Sequence, residues 1–206
     1  MKLEMTTALA VLALWIQPSV RPAKAVFPGQ SAMIAAPARR RAVPEFSLLE
    51  QSGARITLAD LRGKVWIADF IYTSCPDTCP LETADMARLQ SRWRGASDLR
   101  LVSFSVDPER DTPEILARYA RRFKAEPRRW LFLTGARPAI LHLVEDGFHL
   151  AVASAAKNPQ DAGLIVHSPR FVLIDRQGLI RGYYDTRDPQ ALQRLDTDVA
   201  ALLENK

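Results

Sequence analysis

Both cysteines of this 206-residue chain lie within five positions, Cys75-Pro76-Asp77-Thr78-Cys79, and neither has another cysteine to pair with. They follow the apolar run Val65-Trp66-Ile67-Ala68-Asp69-Phe70-Ile71, whose length and β-branched and aromatic content predict a buried strand. Prolines at 76 and 80 then require a loop that turns into a helix. Pro80, with no N–H and a fixed φ, suits the first helical position. That makes Cys79 the N-cap and Glu82 the third residue of a capping-box-like start. In this frame Cys79 faces the helix's unpaired N–H groups, whose partial positive charge should lower its pKa below that of an ordinary thiol. Two thiols are thereby presented at the carboxyl end of a strand.

Three uses of such a pair stand open. As a structural staple it is weak, because closing a five-residue loop stabilises by only about 2 kcal/mol in chain-entropy terms. As a dithiol redox centre it has the chemistry but departs from the usual C-x-x-C spacing. The extra residue gives the loop room to splay two thiolates around a metal, and as a soft-metal site the pair needs one further donor.

Strands and helices alternate through the rest of the chain. Residues 44–48 open the domain with alternating apolar side chains, and residues 56–64 read as a short turn or helical piece. A helix is predicted over about 80–94 and a strand over 99–106. The next helix runs from Thr112 to about Phe123, with Thr112, Pro113 and Glu114 as N-cap, N1 and N2. Residues 130–134 read as a strand and 138–146 as a helix ended by Gly147. Residues 171–175 and 179–184 form a hairpin around Arg176-Gln177-Gly178, and 189–203 the closing helix. The expected fold is α/β, a thioredoxin-like three-layer domain with a central mixed β-sheet flanked by helices. Neither a G-x-G-x-x-G nor a Walker motif is present.

Upstream, Lys2 precedes an apolar run over residues 6–16, followed by Gln17-Pro18 and Ala23-Lys24-Ala25. The run is much shorter than the about 20 residues of a membrane-spanning helix, and the A-x-A triplet reads as a cleavage site. Residues 1–25 are therefore expected to be a signal peptide cut after Ala25, residues 26–43 a flexible arm, and 44–206 one domain. Export would place the chain in the periplasm or at the outer face of the cytoplasmic membrane, soluble after cleavage rather than anchored. A disulfide between Cys75 and Cys79 can persist there. Arg39-Arg40-Arg41 follows the apolar run instead of preceding it, so it reads as solvated linker and not as a twin-arginine signal. A chain that is 48% hydrophobic and 25% charged supports a single core at this length. Losing Lys2, Arg21, Lys24 and Glu4 would take the formal charge from +5 to +3, too mild a balance for a nucleic-acid partner. The domain is expected to be a monomer.

Three histidines are available as a further donor. His142 falls within an amphipathic helix pattern and His149 within an alternating strand pattern, both ordinary packing or surface positions. His167 differs, because Ile165-Val166-His167-Ser168-Pro169 precedes the hairpin strand, where the thioredoxin order brings the loop beside the cysteine loop. Pro169 also falls where that fold often carries a cis proline. An imidazole there would complete a two-thiolate, one-nitrogen site suited to copper in either oxidation state.

The stretches Thr73-Ser74-Cys75-Pro76-Asp77-Thr78-Cys79-Pro80, Ser105-Val106-Asp107-Pro108-Glu109-Arg110-Asp111-Thr112-Pro113 and His167-Ser168, in this order and with these separations, resemble the SCO/SenC family of copper proteins over about residues 44–203. The resemblance implies a thioredoxin-like domain holding a copper ion through Cys75, Cys79 and His167, with Asp77 or a water as an open further ligand. It also implies a metallochaperone role in assembling the copper centre of cytochrome c oxidase, with that oxidase's copper-receiving subunit or another periplasmic copper protein as partner. The family's likeness to thiol–disulfide oxidoreductases supplies the alternative, reduction of a partner's cysteines by Cys75 and Cys79. Many family members keep a membrane tether, whereas the apolar segment here is short and cleavable.

Overall fold

The computed structural model describes residues 41–76, 78–150, 152–154, 164–166 and 169–204, all within the unit Ile34–Lys206. Its centre is β3 (Val65–Ile71), every residue of which is buried. This is the continuous apolar run expected of a strand covered on both faces. β3 pairs in parallel with β4 (Leu99–Ser105), and β4 in parallel with β5 (Trp130–Thr134). On the other side β3 pairs antiparallel with β8 (Arg170–Ile174), which forms a hairpin with β9 (Ile180–Asp185). β1 (Ser47–Glu50) joins the far edge beside β5 and pairs with β2 (Arg55–Thr57), giving the order β2-β1-β5-β4-β3-β8-β9. The sheet is mixed, as the alternation in the sequence predicts, and has seven strands, with β2 standing where a turn or helical piece was expected.

Alternation along β3 splits the core. Trp66, Ala68 and Phe70 join Phe104 and Phe148 on one face, while Val65, Ile67 and Ile71 join Met86, Leu116, Phe132 and Leu195 on the other. α1 (Leu58–Leu61) and α4 (Arg137–His142), the latter continued by a π-helical turn over Leu143–Gly147, contribute Leu58, Leu61, Ile140, Leu143 and Val144 to the first face. α2 (Thr78–Arg92), α3 (Pro113–Arg122) and α5 (Pro189–Glu204) cover the second. Thr112 caps α3 as expected, its side chain accepting from the Ile115 N–H with Pro113 in the first turn. The hairpin turn carries Gly178 at φ +80, the left-handed region glycine enters without penalty.

Two boundaries differ from expectation. Residues Arg41–Val43, at the end of the stretch read as an arm, are built into the fold. Arg41 O accepts from the Ile180 N–H at 2.8 Å, the Val43 N–H donates to Gly178 O at 2.9 Å, and Val43 is buried. The segment before His167 contains a small antiparallel pair, β6 (Val152–Ser154) with β7 (Leu164–Val166), where no shape is legible in the sequence. The signal-peptide stretch 1–25 and the remainder of the arm lie outside the described residues.

Candidate metal and dithiol site

α2 begins at Thr78, so Cys79 is its second residue and Pro80 its third; the expectation of Cys79 as N-cap is corrected by two positions. Proline is tolerated there because the first four N–H groups of a helix have no intrahelical partner. Glu82 turns inward instead of closing a capping box. It is 8% exposed, and its Oε1 lies 3.2 Å from Thr186 Oγ1.

Ahead of the helix the chain folds back on itself, the Cys75 N–H donating to Tyr72 O at 3.2 Å. This turn brings the two thiols together. Cys75 is 8% exposed and Cys79 5% exposed, the pair is in the dithiol form, and both side chains lie in one buried cluster. The half-buried Tyr72 side chain packs against the cluster that contains both cysteines. Asp111, fully buried, holds the loop from below. It accepts from the Thr73 N–H at 3.1 Å, Thr73 Oγ1 at 2.5 Å and Ser105 Oγ at 2.6 Å. On α2, Thr83 Oγ1 donates to Cys79 O at 2.7 Å, which leaves the Tyr119 hydroxyl, 2.9 Å away, as donor to Thr83.

The electrostatics reverse the expectation for Cys79. Burial pushes its thiol well above the ordinary value; the Tyr72 N–H offsets part of this, while Cys75 and Glu82 add to it. Desolvation of a charged sulfur outweighs the helix-terminal field here. Two buried carboxyl groups in the core are raised as well. Asp69 on β3 is 1% exposed with neither oxygen in a well-formed hydrogen bond; burial pushes it up to about 7, and Ser103 offsets only part. Glu82 is pushed up to about 8 by burial and next by Asp69. The site therefore holds protons at neutral pH, and a metal entering it must displace thiol protons.

Of the three expected ligands, the structure brings Cys75 and Cys79 together, whereas His167, Asp77 and the Ser168-Pro169 bond lie outside the described residues. Pro169, two positions beyond His167, is described. Its carbonyl accepts from the Thr186 N–H at 2.9 Å. With Thr78, Leu81, Glu82 and Thr186 it lines a cavity of about 290 Å³ beside the first turn of α2. His142 sits on α4 as expected, exposed, with Nδ1 2.8 Å from Asp146 Oδ2. His149 is not in a strand; it is exposed at φ +50, between the π-helical turn and β6.

Sequence reasoning assigned no role to Tyr72 or Thr73, and none to Asp69. The signal for Asp69 is present, an acid in the middle of the apolar run Val65–Ile71, where burial on both sides leaves a charge nowhere to go.

The two thiols at a strand's carboxyl end and the following helix start make up the dithiol centre of a thioredoxin-like domain, and the SCO1/SenC family model matches residues 35–203. The chain belongs to the SCO1/SenC family. Among its relatives, the SCO1 protein homolog of Bacillus subtilis is 33% identical over 144 residues, covering 69% of this chain and 73% of that one. A SCO1/SenC family lipoprotein of Bacillus anthracis has a crystal structure similar to this fold with a TM-score of 0.71 at 32% identity, covering 82% of this chain and 99% of that chain. Arabidopsis thaliana ScoI with copper bound is similar with a TM-score of 0.63 at 26% identity, covering 79% and 96%. The family-model match, residues 35–203, spans the cysteine loop. No helix among the described residues is long and apolar enough to cross a membrane.

Proposed function

We propose that this SCO1/SenC protein is an extracytoplasmic copper metallochaperone that holds one copper ion through Cys75, Cys79 and His167 and hands it to the copper-receiving subunit of cytochrome c oxidase or a similar copper protein. The observation that carries the reading is the adjacency of two buried thiols, soft donors that suit copper, in a chain whose relative ScoI has been seen with copper bound. Further support comes from Pro169, which lies beside the first turn of α2 only two residues after His167. The protein acts as a carrier and not as a catalyst. Residues 1–25 direct export and are removed; the alternative is that the same apolar segment is retained as an anchor at that membrane face.

A second reading is favoured by the dithiol itself. Buried next to two proton-holding carboxyl groups, Cys75 and Cys79 can also give two electrons and two protons to a partner's disulfide, closing their own. Both roles need the thiols reduced. The test of the first is titration of the reduced protein with Cu(II): we expect thiolate-to-copper absorption saturating at one copper per chain, lost in Cys75→Ser and in Cys79→Ser. Binding that survives both substitutions would place copper elsewhere.

A further inference from the structure

α2 and α3 cross over between parallel strands, so each ends at the amino ends of the strands, the pole of the sheet opposite the cysteine loop. The turns that follow them are stitched together. Gln90 Nε2 donates to Lys124 O at 3.0 Å, the Glu126 N–H to Gln90 Oε1 at 2.7 Å, and the Arg129 guanidinium to Trp93 O at 2.8 Å. This corner exposes Arg94, Arg121, Arg122, Lys124 and Arg128, none of which forms an ion pair with a described residue. The acids beside them are already engaged, Glu126 by Arg129 at 2.7 Å and Asp196 by Arg92 at 2.9 Å.

The α3 dipole accounts for Arg121 and Arg122, which lie in its last turn. It does not account for the next two cations. Lys124 stands at φ +54 just past the C-cap Phe123, in a Schellman turn closed by the Ala125 N–H to Ala120 O at 3.0 Å and the Lys124 N–H to Arg121 O at 3.1 Å. Arg128 stands at φ +66 after Pro127, in a turn closed by the Arg129 N–H to Glu126 O at 3.1 Å. Glycine enters both positions without penalty, and a residue with a Cβ does not. Two charges are thus kept against the backbone's preference. The chain also enters the described fold at this pole, Arg41 O accepting from the Ile180 N–H at the start of β9.

We propose that this basic pole is a docking surface for an anionic phospholipid leaflet, holding the domain against the membrane with the cysteine loop turned outward. A membrane fits better than an acidic protein because the segment read as the export leader joins the domain at this same pole. The proposal is independent of the copper reading and shares with it only the export of the chain.

Lys124→Gly combined with Arg128→Gly removes two charges and gives both turns the residue their backbone favours. Full-length wild type and variant are sedimented with vesicles of equal parts phosphatidylglycerol and phosphatidylcholine, and with vesicles of phosphatidylcholine alone. The difference separates the charge-dependent part from any contribution of the apolar segment. We expect wild type to favour the anionic vesicles, with the preference fading as salt is added. The variant should lose about fivefold in affinity for each cation, about 25-fold in all, while its thermal unfolding midpoint equals or exceeds that of wild type. Arg187→Ala combined with Arg194→Ala, which removes the same charge near the start of α5, should bind as wild type. The proposal is overturned if the glycine variant keeps its affinity, if the control loses as much, or if the glycines lower the midpoint and so show that the side chains hold the turns. Wild type that ignores the anionic vesicles but is retained by poly-glutamate would make the pole a protein-docking face and overturn it as well.

Discussion

At the scale of single residues, the buried acids make the clearest claim. Asp69 and Glu82 have carboxyl groups pushed up to about 7 and about 8 in the fold, against an ordinary range near 4 in the unfolded chain. Between those limits these two groups bind more protons in the native state than in the unfolded one, so their contribution to stability is fully present below the ordinary carboxyl range and is lost as pH rises from about 4 through about 8. Asp69→Asn should flatten that decline, because it removes one titration and relieves Glu82. Urea unfolding at pH 5 and pH 8 measures this; an equally steep decline in the variant would show that the acids are not its source. Asp111 is a buried acceptor that takes hydrogen bonds from the Thr73 N–H and from the Thr73 and Ser105 hydroxyls. Asp111→Asn puts amide hydrogens against donors and should cost about 1–3 kcal/mol, with weaker copper binding because the cysteine loop hangs from Thr73. Unchanged unfolding and copper titration would remove Asp111 from the account.

At the scale of elements, most boundaries were legible because each rests on local chemistry. The run Val65–Ile71, the Thr112-Pro113 cap of α3 and the Gly178 turn all stand where the sequence puts them. The start of α2 was misjudged because proline, though commonest at the first helical position, is tolerated throughout the first turn. The thiol's environment was misjudged for a different reason: burial by β3, α3 and Glu82 is a tertiary fact, and it outweighs the helix terminus that the sequence displays. The turn in which the Tyr72 carbonyl accepts from the Cys75 N–H was not legible because it depends on how the folded loop packs. α2 also carries Leu81, which is 66% exposed at the cavity beside Pro169. Leu81→Ala should leave the unfolding free energy within about 0.5 kcal/mol of wild type; a larger loss would mean that the side chain packs in solution against something the fold does not show.

At the scale of the whole molecule, the domain can be stabilised in two ways. Closing the Cys75–Cys79 disulfide constrains a five-residue loop and should add about 2 kcal/mol or less. Copper binds the folded site and not the unfolded chain, so at a thousandfold excess over its dissociation constant it should add about 4 kcal/mol. Thermal unfolding of the dithiol, disulfide and copper-loaded forms would give that order; a disulfide form more stable than the copper form would argue for the redox role. The most direct test of the central claim lies at His167. On wild type and His167→Ala, the thiolate-to-Cu(II) absorbance is titrated and the rate of reducing a disulfide of a partner protein is measured in parallel. The copper account expects the Cu(II) band to be lost in the variant while thiol chemistry is largely kept; a variant that keeps its copper band and loses disulfide reduction would contradict it.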